Sequence, residues 1–139
     1  MKRAICAALA ATLLAAPAVA AQDAPKWDDL RSDQQLTDGL VVVAAGGRIH
    51  RGCPTISPRR IQGIMFLMDL KSRAASHGYS DAEIRAFVDD PAEKARIEAI
   101  ADAWLASRGT AKGDEAGLCR VGREEIAANT QIGRLLRND

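Results

Sequence analysis

The sequence predicts an all-α fold: a single small domain of about five helices, packed round a central apolar helix and closed by one disulfide. Three observations lead there. From residue 36 onward, apolar residues recur at three- and four-residue spacing behind Ser, Thr or Asp start signals. No hairpin partner and no alternating strand–helix pattern accompanies them. An export signal at the start leaves two cysteines to be accounted for.

Residues 1–21, MKRAICAALAATLLAAPAVAA, have the three parts of a secretory signal. Lys2 and Arg3 give a positive start, Ala4 to Ala16 is apolar, and Pro17 precedes the small-x-small site Ala18-Val19-Ala20. The apolar run is shorter than the roughly 20 residues of a membrane-spanning helix, and no later stretch approaches that length. Cleavage after Ala20 or Ala21 is equally readable. It removes Cys6, Lys2 and Arg3, taking the formal charge from +1 to −1. The remaining chain of about 119 residues suits one periplasmic domain with a real core. Near-neutral charge speaks against nucleic acid as a partner.

Residues 22–35, QDAPKWDDLRSDQQ, are polar, acidic and aperiodic, and read as a tether to the helical domain at 36–139. Trp27 is out of place in such a segment, and is expected to fold back onto the domain rather than anchor a partner. In the first helix Leu36, Leu40, Val43, Ala44 and Gly47 follow the helical repeat, with Thr37 or Asp38 as cap and an end near Gly52. Valine in Leu40–Val43 favours sheet, but no strand partner exists to receive it. Gly46-Gly47 costs this helix about 1 kcal/mol per glycine, which a close helix approach or a tolerated soft spot would explain.

Ser57-Pro58 reads as the next start. Ile61, Ile64, Met65 and Met68 form a stripe that Phe66, Leu67 and Leu70 widen almost round the helix, marking it as the central one. His77-Gly78 ends it. Ser80 and Glu83 then form a capping box, with Tyr79 positioned to staple onto Ile84. Asp90-Pro91 starts a helix carrying Ile97, Ile100, Ala101, Trp104 and Leu105 on one face, and Gly109 stops it. Asp114 or Glu115 opens the last segment. Leu118, Val121, Gly122, Ile126, Ile132, Gly133 and Leu136 share a side of it, with a bend near Asn129-Thr130 where a second cap restarts the helix before QIGRLL.

Two cysteines in an oxidising compartment most often pair, so Cys53 and Cys119 are read as a disulfide. Closing a loop of that length stabilises a fold by roughly 4 kcal/mol in the chain-entropy model. The competing readings of Cys53 are weaker. His50-x-x-Cys53 is half a metal site, but the other histidine, His77, closes a different helix. Redox and haem motifs built on Cys-x-x-Cys are absent.

No Gly-x-Ser-x-Gly elbow, phosphate-cradling glycine loop or His-Glu-x-x-His helix is present. The paired Asp89 and Asp90 suit a cap better than acid–base chemistry. The residues therefore point away from an enzyme and imply neither metal nor cofactor. One feature stands out. Between Gly39 and Met68 there is no acidic residue, while Arg48, Arg51, Arg59 and Arg60 supply four positive charges; seven acids lie between Ser80 and Asp102. The arginines form either a docking patch for a protein partner or an anionic envelope surface, or a region neutralised locally by those acids. A ligand-binding alternative places a small apolar molecule or lipid between helices beside Met65, Met68 and Trp104.

The stretches LKSRAASHGYSDAEIRAFV, AEKARIEAIADAWLASRG and LCRVGREEIAANTQIGRLL resemble DUF5333, a family of small exported bacterial proteins of unknown function. The resemblance brings no catalytic residue to carry over. It implies an association with genes of the respiratory NADH:quinone oxidoreductase. With the residue reading it implies a non-enzymatic accessory or interaction module.

Overall fold

The computed structural model describes residues 26–139, so the signal expected at 1–21 and the first part of the tether lie outside the described residues. Among those described, seven helices and two short strands follow in order. They are α1 (Asp28–Ser32), α2 (Gln34–Gly52), β1 (Ile56–Pro58), α3 (Arg60–Ser76), α4 (Asp81–Asp89), α5 (Pro91–Ser107), α6 (Glu115–Ala127), α7 (Gln131–Arg134) and β2 (Leu136–Asn138). The five long helices are those read from the sequence. The fold is all-α apart from the β1–β2 pair.

The last part of the expected tether is instead folded. Trp27 and Leu30 are buried, and Trp27 lies edge-on to Phe87 with ring centroids 5.6 Å apart. Asp33, not Thr37 or Asp38, caps α2 through the backbone N–H of Leu36. Its carboxylate is buried and also accepts from Arg73 Nε at 2.7 and 2.8 Å and from His77 Nε2 at 2.7 Å. Polarity made this segment look solvated; its acid is polar because it joins three elements. Burial on its own would raise the Asp33 pKa. The Arg73, His77 and Leu36 hydrogen bonds, with the Arg73 charge, outweigh it and hold the carboxyl well below the usual carboxylate range.

The cap signals further along hold. Ser80 and Glu83 form the capping box, and Glu83 ionises more readily because the Ser80 backbone N–H donates to it. Asp90 accepts from the N–H groups of Ala92 and Glu93 ahead of Pro91. Asp114 accepts from Gly117 N–H, and Thr130 restarts the chain as α7 by accepting from Gly133 N–H.

Ser57-Pro58 is the exception. It does not start α3 but forms β1, antiparallel to β2 with Ile56 opposite Asn138, Ser57 opposite Arg137 and Pro58 opposite Leu136. The Ser57 hydroxyl, free of capping duty, donates to Asp139 Oδ2 at 2.8 Å. The partner strand is about 80 residues away in sequence, so no local pattern announced it.

The central helix is α2, not α3. α2 packs on α1, α3, α5, α6, α7 and β1. Its second half joins Ala45 and Ile49 to Ala101, Leu105, Leu118 and Val121 in one apolar cluster. Its first half joins Leu36 to Trp27, Leu30, Leu70, Ala74 and Phe87 in another. α3 buries only Leu70 and Ala74, near its C-terminal end. Close helix approach occurs away from Gly46-Gly47. A Cβ on Gly122 would overlap Ile49 and Ile56, and one on Gly39 would overlap Leu70, whereas Gly46 has nothing within 4 Å.

Cys53, the residue after α2, is bonded to Cys119 of α6, with Cα atoms 5.0 Å apart. Purified protein lacking residues 1–21 is expected to take up no thiol label when denatured without reductant; two labelled cysteines per chain would contradict the bond. Reduction should lower stability by about 2–5 kcal/mol, measured by urea unfolding. Asp33→Ala should cost about 2–4 kcal/mol through the lost cap and charged hydrogen bonds. Because the folded pKa is depressed, the Asp33 contribution is fully present above the unfolded value near 3.8 and is lost as pH falls below it. The gap between wild type and Asp33→Ala should therefore narrow from pH 5 towards pH 2.

Candidate docking face

α3 leaves its most apolar surface in solvent. Ile61, Ile64, Met65 and Met68, spaced i, i+3, i+4 and i+7, share one face and are each at least 60 % exposed. The helix is held unevenly. Near its C-terminal end Leu70 and Ala74 are buried and Arg73 is tied to Asp33. Near its N-terminal end it stands off α2, leaving a groove of about 180 Å³ bordered by Gly46, Gly63, His50 and Leu67. Large apolar side chains spread at helical spacing look the same in sequence whether a helix is enclosed or only half covered.

The four arginines singled out by sequence do not act together. Arg48, on the side of α2 that meets α5, donates to Asp102 through Nε at 2.5 Å and Nη2 at 2.9 Å, with Glu98 at 3.5 Å. The hydrogen bond to Asp102 raises its pKa further above the ordinary arginine value. Arg48 thus belongs to a local neutralisation between α2 and α5. Arg51 is exposed on the last turn of α2, its guanidinium lying over Gly47. Arg59 and Arg60 are exposed at the start of α3. Together with Ile61 and Arg137 of β2 they border an open hollow. Arg137 escaped the sequence reading because only the β1–β2 pairing brings it to this place. None of Arg51, Arg59, Arg60 and Arg137 has a carboxylate within 4 Å among the described residues.

The remaining candidates are occupied structurally. His50 Nδ1 lies 2.9 Å from the Ile56 carbonyl, and His77 is held by Asp33. Buried Glu93 accepts from Arg31 at 2.6 Å and Arg96 at 3.0 Å, and Glu125 pairs with Arg108 and the Thr130 hydroxyl. Met65, Met68 and Trp104 do not border a common cavity: the methionines face outward on α3, while Trp104 lies half-buried on α5 against the other core cluster. No helix among the described residues is long and apolar enough to cross a membrane.

The placement of the arginines has a direct consequence for stability. Arg48→Ala should cost about 1–2 kcal/mol in urea unfolding, less than a fully buried pair because Asp102 is half exposed. Arg59→Glu should change stability by no more than about 0.5 kcal/mol. Equal losses at the two positions would contradict the division drawn here.

Neither curated proteins nor solved structures give a match to the chain. A family model, however, covers residues 28–137, the region that folds as described, and on that match the chain belongs to DUF5333, a family of unknown function.

Proposed function

We propose that this is an exported, non-enzymatic interaction module that seats the outer face of α3 on a protein partner. The partner surface it fits is apolar at its centre and carries carboxylates on one side. The observation that carries this reading is the two-turn stripe of Ile61, Ile64, Met65 and Met68, four large apolar side chains contiguous on one helix face and left in solvent. Arg59, Arg60 and Arg137 at one end of the stripe supply the charge that carboxylates would meet. A protein suits the face better than a lipid surface. The stripe is only about 10 Å long and sits on a helix fixed in a folded domain, less apolar length than a free amphipathic helix lays into a lipid interface. The association implied by the family resemblance makes the envelope-facing side of the NADH:quinone oxidoreductase the first partner to try.

A photo-crosslinking residue placed at Met65, with a control at Glu98 on α5, tests this in intact cells. Met65 is expected to give one protein adduct that Glu98 does not, and Arg60→Glu or Ile64→Asp should abolish it while leaving the melting curve unchanged. The purified adduct partner should bind the module directly and release it as salt is raised. Three results would overturn the proposal: equal crosslinking at both positions, a dimer of this chain as the adduct, or binding to phosphatidylglycerol vesicles that needs no protein.

A further inference from the structure

We propose a second site, independent of the docking face: an acyl-chain cleft between α3 and α4, over α2, that takes a single-chain amphiphile with an anionic head. Its volume is about 250 Å³ and its walls are almost wholly apolar, with Leu36, Leu40, Leu70, Ile84 and Phe87 among them. Leu67 and Val88 form its lips and are 48 % and 40 % exposed, far more than side chains packed against each other would be. Leu40, Phe87 and Val88 also border a second apolar hollow of about 150 Å³ that continues along α2 past Val43 and Ala44 to Ile97.

From Leu36 to Ala44 the helix rises about 12 Å, the reach of a saturated chain of about ten carbons. Two adjoining apolar hollows along that length, sharing Leu40, Phe87 and Val88, fit a linear chain better than a compact ring.

Charge at the two ends sets the direction. Lys71 and Arg85 stand at the α3–α4 mouth. Asp81 holds Lys71 at 2.7 Å, but no carboxylate among the described residues lies within 4 Å of Arg85. Glu93, Lys94 and Glu98 border the far hollow, and each already has a partner: Glu93 in Arg31 and Arg96, Lys94 in Asp89, and Glu98 in Arg48. Arg85 is thus the one charged side chain beside either hollow with no opposite charge within 4 Å among the described residues, so an anionic head is held there and the chain enters tail first from the α3–α4 side.

Titration of the signal-free protein with decanoate, below its micelle concentration, tests the site by calorimetry and by methyl NMR. The expected result is saturable one-to-one binding, with shifts at Leu40, Ile84 and Val88 and none at Ile61, Ile64, Met65 and Met68. Arg85→Glu should weaken decanoate about tenfold while leaving decanol unchanged, and decyltrimethylammonium should bind more weakly than decanoate. Val88→Trp should block both decanoate and decanol; Leu67→Trp, at the opposite lip, serves if that variant fails to fold. Binding that does not saturate, shifts confined to the outer stripe of α3, or a folded lip variant that binds like wild type would overturn the proposal.

Discussion

The Cys53–Cys119 bond sits where three parts of the fold meet: the end of α2, the turn into β1, and the first half of α6. It fixes the depth at which α6 lies against α2, and the small residues around it are consistent with that depth. Side chains at Gly52 and Gly122 would run into Leu118 and into Ile49 and Ile56, so α6 approaches as closely as its backbone allows. With α5 on the neighbouring side, the second half of α2 is enclosed by Ala101, Leu105, Leu118 and Val121. β1 leaves from this point and pairs with β2, which brings the chain end back beside the start of α3.

That arrangement leaves α3 only part of α2 to pack on. Its C-terminal half is secured by Leu70, Ala74 and the Arg73–Asp33 pair; its N-terminal half packs on the core through half-buried Phe66 and follows directly on the short strand β1. The exposed stripe and the groove beside Gly46 and Gly63 are consequences of this one asymmetry. A void beside a central helix forfeits contacts that a closed bundle would make. The cost is carried by the disulfide-pinned half of the molecule, whose core is complete without α3. The Asp33 carboxylate has the complementary duty at the other end, binding the cap of α2 to the last turns of α3.

Local signals in the chain were legible because local physics settles them. Ser80 with Glu83, Asp90 with Pro91, and Thr130 before Gln131 each satisfy backbone donors within three residues, so their meaning survives any tertiary context. The disulfide followed from having two cysteines left to pair. What depended on distant neighbours was misread. Ser57-Pro58 carries a good helix start yet is claimed by a strand from the far end of the chain. Asp33 sits in a polar run but is buried through partners 40 and 44 residues away. Arg48 and Arg59 look alike in sequence, and only the packing of α5 against α2 assigns one to an ion pair and the other to solvent. α3 carries apolar side chains on most faces, which suggests enclosure, whereas its outer face lies in solvent.

α3 is a partly attached outer helix on a closed α2–α5–α6 core, and amide hydrogen exchange of the oxidised protein measures this directly. Amides of residues 61–68 should exchange by local opening at least about a hundredfold faster than those of residues 45–49, which should exchange only when the whole domain unfolds. Equal, slow exchange in both segments would show that α3 is an integral part of the core, and would contradict the picture of a loosely held docking helix.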